Sequence, residues 1–202
     1  MPDMDEINKG NASSSSKTTT EEQLRAYTIG ELVPLTGQIQ IVDYDAEWPL
    51  LFEREAEYIR TALGERALAI EHAGSTSVPG LAAKPIIDIV LVVEDTADEP
   101  AYVSALEAAS YVLRIREPDW YKHRMFKRPG ASVNLHVFSQ GCPEIERMLS
   151  FRDWLRSHPD DRQMYEQTKR RLASQAWKYT QNYADAKTEV VEEIFKNIHR
   201  AS

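Results

Sequence analysis

The strongest patterned feature of the chain is an unbroken apolar run, Ile86-Ile87-Asp88-Ile89-Val90-Leu91-Val92-Val93, in which β-branched residues crowd around one carboxylate. That density predicts a strand buried on both faces, spanning about 86–93. An ionised Asp88 inside it is costly unless paired, so the residue calls for a metal or a basic partner. Shorter runs predict strands at about 67–72, 111–116, 123–128 and 132–138, and Gln38 to Val42 alternates toward a first strand. Helical spacing fills the gaps. Asp45 and Pro49 mark the start of a helix that ends before Gly64, with Leu51, Phe52, Ile59, Ala62 and Leu63 on one face. A further helix is expected over 97–109.

From Cys142 onward the spacing is helical throughout. Pro143 opens a helix to about 157 with Met148, Leu149, Phe151, Trp154 and Leu155 as its stripe, and Pro159 opens another reaching about 179. A last helix near 182–199 buries Val190, Val191, Ile194, Phe195 and Ile198. The expected fold class is α/β (α+β): a mixed sheet core over 38–140, flanked by helices, with a C-terminal helical part over 141–202. Residues 1–37 contain Ser13-Ser14-Ser15-Ser16 and Thr18-Thr19-Thr20 with few large apolar side chains, and are expected to form a disordered low-complexity tail. Leu24, Tyr27, Ile29, Leu32 and Val33 leave open a brief helix or docking on the domain.

Composition narrows the classes of function. The 202 residues carry a net charge of −8, which argues against nucleic acid as a partner, since phosphate backbones select clustered Lys and Arg. The single cysteine, Cys142, excludes an internal disulfide, and no basic helix start activates it. Without a long apolar span or a signal-peptide core, the expectation is a cytoplasmic protein with no membrane partner.

The candidate chemistry centres on the loop before the Asp88 strand. Gly74, Ser75, Thr76 and Ser77 combine a flexible glycine with hydroxyl donors, a phosphate cradle in outline. Lys84 either neutralises phosphate at this loop or pairs with Asp88. His72 is a base, a metal ligand or a hydrogen-bonded structural histidine. His136 is the stronger candidate ligand, since its strand should lie near Asp88. Around Tyr121 and Phe126 gather Lys122, His123, Arg124, Lys127 and Arg128, read either as a triphosphate contact or as an edge strand protected by charge. Arg152 with Arg156, and Tyr183 with Lys187, lie four apart on predicted helices and so share a side.

The Gly-Ser loop followed by a strand carboxylate resembles the nucleotidyltransferase superfamily. The closer resemblance is to the GrpB family. It rests on Tyr44-Asp45 with Trp48-Pro49, the block Glu71 to Asp88, Asn134-Leu135-His136-Val137, Phe151-Arg152-Asp153-Trp154-Leu155-Arg156, and Tyr183 with Lys187, over roughly residues 39–200. In some bacteria this kind of domain is fused to a dephospho-coenzyme A kinase. The resemblance implies a nucleotidyltransferase-like core that binds a nucleoside triphosphate as substrate and a divalent cation, magnesium or manganese. It would transfer the nucleoside monophosphate to a small molecule or protein. Asp88 and His136 would be metal-binding and catalytic, with Lys84. The phosphates would meet Gly74, Ser75, Thr76, Ser77, Arg124, Arg152, Arg156, Tyr183 and Lys187.

Two departures from the superfamily pattern bear on this expectation. The second carboxylate, two positions after the first, is Val90 here, and the third position offers Asn134 and His136. A nucleotide-binding or interaction module without catalysis therefore stands beside the enzyme. A third expectation is acyl or aminoacyl transfer involving a phosphate-rich carrier such as coenzyme A or tRNA. The expected partner is a nucleotide or other phosphorylated small molecule.

Overall fold

In the computed structural model of the chain, which describes residues 18–201, the apolar runs form β1 (Ala69–Ala73), β2 (Ile87–Val93), β3 (Val112–Glu117), β4 (His123–Lys127) and β5 (Val133–Ser139). They make one mixed sheet in the order β1-β2-β5-β4-β3, with β2 and β5 parallel and the other pairs antiparallel. Alternation along each strand divides the residues between two faces. One face carries Ile87, Ile89, Leu91, Val93, Val133, Leu135, Val137 and Phe126. It packs with Trp48, Phe52, Ala56 and Ile59 of α2 (Trp48–Leu63) and Leu106 of α3 (Val103–Ala108) into the main core. The opposite face carries Asp88, Asn134, His136, His123 and Lys127. Only its far end closes, where Ala73, Val90, Val92 and Phe138 meet Ile145 and Met148 of α4 (Pro143–Ser157).

Behind the loop that follows β1, α4 packs with α5 (Pro159–Ala173) and α7 (Thr188–Ala201) through Val78, Leu81, Leu155, Tyr165, Val190 and Ile194. Two predicted helices are shorter than expected. The one opened by Pro159 stops at Ala173, and the last is split into α6 (Thr180–Asp185) and α7, with the Thr188 hydroxyl donating to the Asp185 carbonyl at the break. That break leaves Lys187 between the two helices. The expected strand at 38–42 reduces to a single bridge, Val42 to Ala83, and Asp45 accepts from the Glu47 N–H in the turn before α2 rather than capping the helix itself. No helix among the described residues is long and apolar enough to cross a membrane.

The expected tail needs correction from residue 18 onward; its residues 1–17 lie outside the described part. Glu21–Tyr27 forms α1, closed by a capping box between Thr20 and Gln23, and its Leu24 is 3% exposed. Thr28 then pairs with Ile115 on the free edge of β3, the Ile29 N–H donates to the Arg114 carbonyl at 2.8 Å, and the Leu35 N–H donates to that of Lys178 at 2.8 Å. Cap, buried leucine and edge pairing together offset the ordering entropy that composition alone left unopposed.

Candidate active site

Gly74 leaves β1 with φ +67° and brings the chain against the Asp88 carboxylate; a Cβ added there would lie 2.4 Å from Asp88 Oδ2. Glycine is required at this point by both backbone and space. Of the three hydroxyls that follow, two are engaged inside the loop. Thr76 Oγ1 donates to the Ile86 carbonyl at 3.1 Å and contacts His72 Nε2 at 3.1 Å, while Ser77 Oγ donates to the Gly74 carbonyl at 2.5 Å. Ser75 lines the cleft in front of Asp88, whose volume is about 1110 Å³.

Across the sheet, Asp88 is level with Asn134 and Val90 with His136. Asn134 Nδ2 donates to Asp88 Oδ1 at 2.8 Å, and His136 Nε2 stands 3.8 Å from the same oxygen. Burial pushes the Asp88 carboxyl up, but the polar and charged side chains around it, Asn134 and the Lys187 ammonium among them, outweigh it and hold it below its ordinary value. His136 continues into a line of polar groups. Its Nδ1 is 3.0 Å from His123 Nε2, and His123 Nδ1 is 2.7 Å from Glu117 Oε2. Val90, where a second carboxylate would stand, is fully buried among Ala73, Val92 and Phe138.

Asp88 and His136 are two donors that a divalent cation could share, and among the described residues no group of three or more His, Cys, Asp or Glu is placed to hold a metal ion. The pair fits a cation whose other ligands come from water and a bound phosphate, with the imidazole favouring manganese or zinc over magnesium.

Four lysines line the same cleft: Lys84, Lys127, Lys169 and Lys187. Burial, then the nearby Lys127, pushes the Lys84 ammonium down, with Asp88 opposing. No ion pair joins Lys84 to Asp88 among the described residues, where Asp88 has His136 as its basic neighbour. Lys169 is 2% exposed, donates to the Ala82 carbonyl at 2.5 Å, and is pushed down to about 7 by burial and then by Lys187. It was missed in the sequence because it looks like one more polar position on α5. The i, i+4 pair Tyr183 and Lys187 does face the cleft, with the ammonium 4.9 Å from the ring. Among the described residues the Tyr183 hydroxyl is the buried side-chain polar atom without a hydrogen-bond partner.

Other expected contacts lie elsewhere. Arg124 is on the opposite face of the sheet, 6% exposed, with its Nε 2.6 Å from Glu99 Oε1, so it cannot reach a phosphate in this cleft. Nor is β4 an edge or a neighbour of β2; β5 intervenes and β3 forms the edge, so the basic cluster is divided between the faces. His123 and Lys127 are its members on the cleft face, while Arg128, also at the cleft, pairs with Glu55 at 2.6 Å. Arg152 donates to Glu71 at 2.9 Å and to the His72 carbonyl at 3.0 Å, and Arg156 donates twice to the Ser77 carbonyl, at 2.9 and 3.1 Å. Both arginines brace the loop from behind instead of pointing into the main cleft, although Arg152 edges a smaller hollow beside it. His72 stacks on Phe52 in the main core, with ring centroids 4.8 Å apart.

A Gly-Ser loop leaving one strand of a mixed five-stranded sheet and facing an aspartate on the next, with helices closing the cleft, defines a mixed α/β protein with its cleft on one face of the sheet. Within that class the chain belongs to the GrpB family: the family model described as GrpB protein matches residues 38–197. The chain is similar to the UPF0157 protein BH1888 of Halalkalibacterium halodurans, 57% identical over 184 residues that span 91% of this chain and 94% of that protein. It is also similar to the crystal structure of conserved protein GrpB from Enterococcus faecalis, with TM-score 0.66, 31% identity, and coverage of 79% of this chain and 99% of that one. A dephospho-CoA kinase of Mycolicibacterium paratuberculosis is 32% identical over 188 residues, spanning 80% of this chain and 45% of that protein.

Proposed function

We propose that this protein binds a nucleoside triphosphate in the cleft before Asp88 and transfers the nucleoside monophosphate to a small molecule or protein. The observation that carries the reading is the meeting of Gly74 with the Asp88 carboxylate inside a cleft lined by Lys84, Lys127, Lys169 and Lys187. A carboxylate surrounded by that many cations is suited to a ligand that brings both phosphate charge and a divalent metal. Asp88 and His136 would hold the cation, which when bound supplies positive charge to the phosphate oxygens. The lysines neutralise the departing pyrophosphate. An acceptor oxygen attacks the α-phosphorus, the bond to the bridging oxygen breaks, pyrophosphate leaves with that electron pair, and the acceptor's proton passes to water.

Titration calorimetry with ATP, GTP, CTP and UTP, each with Mg²⁺ or Mn²⁺, tests the binding, and pyrophosphate release tests the transfer. Binding of at least one nucleotide at micromolar to sub-millimolar concentration is expected; failure of all four removes the reading. A second reading, a nucleotide-binding module without turnover, is favoured by the burial of Val90 where a second carboxylate would stand. Tight binding with no pyrophosphate released across a panel of acceptors would select it. A phosphate-rich carrier such as coenzyme A is the third ligand to titrate, since a matching region occurs within the dephospho-CoA kinase relative.

A further inference from the structure

Resting on the reading of Asp88 and His136 as the cation pair, we infer that Glu117 and His123 are positioning residues that fix the tautomer of His136, leaving its Nε2 lone pair aimed at the metal position. The site would then select an imidazole-accepting ion such as Mn²⁺ over Mg²⁺. The chain of reasoning starts at Glu117. A carboxylate only accepts, so at 2.7 Å the proton between it and His123 Nδ1 belongs to the imidazole. His123 is 4% exposed, stacked on Phe138 at 4.8 Å and edged by Trp120 at 5.2 Å, an enclosure suited to the neutral ring. A neutral ring with Nδ1 protonated has an acceptor at Nε2, and that atom is 3.0 Å from His136 Nδ1. His136 must therefore donate from Nδ1, and its own Nε2 is left as a bare donor of electrons.

That Nε2 stands 3.8 Å from Asp88 Oδ1, too far for a hydrogen bond but open to a cation shared by both atoms. Sheet register makes the line rigid: Glu117 is level with His123 across β3 and β4, and Met125 with His136 across β4 and β5. Histidines that ligate metals characteristically donate their other ring N–H to a fixed acceptor, which sets ring orientation and raises basicity. Here the acceptor is a second histidine, itself held by a carboxylate.

Long-range ¹H–¹⁵N NMR on histidine-labelled full chain at pH 8.5 reads the tautomers directly without any metal. The expected result is Nδ1–H for both His123 and His136; Nε2–H on His136 would overturn the inference. Mn²⁺ alone, titrated by electron paramagnetic resonance, should bind at least about tenfold tighter than Mg²⁺ and show nitrogen coupling in pulsed spectra. His123→Phe should lower Mn²⁺ affinity by about 10- to 100-fold while leaving the weak Mg²⁺ affinity in place. Should His123→Phe fail to fold, Glu117→Leu, at a more exposed position, carries the same expectation, and Glu117→Gln should restore part of the affinity because its amide oxygen still accepts. Unchanged Mn²⁺ affinity in a folded variant, or bound Mn²⁺ without nitrogen coupling, overturns the inference. Nucleotide titrations on the same samples keep the two questions apart: nitrogen-coupled Mn²⁺ without any nucleotide binding supports the positioning role and removes the transferase reading.

Discussion

The two faces of the sheet are made from the same strands, yet they obey different rules. On the face covered by α2 and α3, β2, β5 and β4 present Ile89, Leu91, Leu135, Val137 and Phe126, all without solvent contact, and the interactions are non-directional packing. On the other face the same strands present Asp88, Asn134, His136 and His123, joined side chain to side chain. One residue of offset along β2 moves from the core to a polar line running from Asp88 to Glu117. The first face tolerates exchange of shape at a cost in stability; the second depends on which atom carries a proton.

The largest effect should come from the polar face. Asp88→Asn keeps the shape and the contact with Asn134 but removes the charge that a cation and the lysines answer. Metal-dependent pyrophosphate release should fall by about 10³-fold or more, with urea unfolding little changed. Unchanged release would take Asp88 out of the chemistry and leave the comparison between the faces without its functional half. Leu135→Ala is the matching test of the apolar face. The side chain is fully buried in the main core, so its removal should cost about 3 kcal/mol by urea denaturation. Nucleotide affinity measured at low temperature should stay within about twofold; a large loss of affinity at intact fold would show that the faces are coupled.

A smaller effect follows from His72, whose imidazole lies on the apolar face. Burial pushes His72 down to about 4, with Arg156 and Arg152 adding to the shift and Asp88 opposing it. The unfolded chain takes up this proton near the ordinary value of 6.5, before the folded one does. Stability is therefore fully present above that pH and is lost as pH falls toward 4, by roughly 3 kcal/mol at pH 4. Urea midpoints at pH 7, 5.5 and 4 should converge when wild type and His72→Gln are compared at the acid end. Parallel curves would mean that His72 is not the group responsible.

Much of this was legible from letters. The apolar run around Asp88 sets β2, and the register to Asn134 and His136 follows once β5 lies beside it. The Gly-Ser loop was equally visible, although not that Thr76 and Ser77 turn their hydroxyls inward. Arg124 illustrates what was hidden: alternation within β4 tells which residues share a face, but which face meets the cleft depends on strand order, and β5 separates β4 from β2. Arg152 and Arg156 share a helix side as expected, yet that side meets the loop carbonyls. Residues 18–37 were hidden for a different reason. Their order comes from pairing with the edge of β3 and from Leu24 burial, which local composition does not record.

The smallest expected effect concerns Lys169, which belongs to neither face but looks into the polar one from α5. Its ammonium, pushed down to about 7, is largely neutral at pH 8 in the free protein. An anion bound in the cleft favours the charged form, so binding should draw a proton from solution. Calorimetric titration of ATP at pH 8 in Tris and in EPPS, buffers of different ionisation enthalpy, should reveal uptake approaching about one proton. Lys169→Met should abolish that uptake, weaken binding by about tenfold, and leave the Ala82 carbonyl without its donor. Equal heats in the two buffers would show that the phosphates do not come near Lys169. The ligand would then sit closer to Asp88, on the strand side of the cleft, and the helices would serve as a wall instead of a second set of contacts.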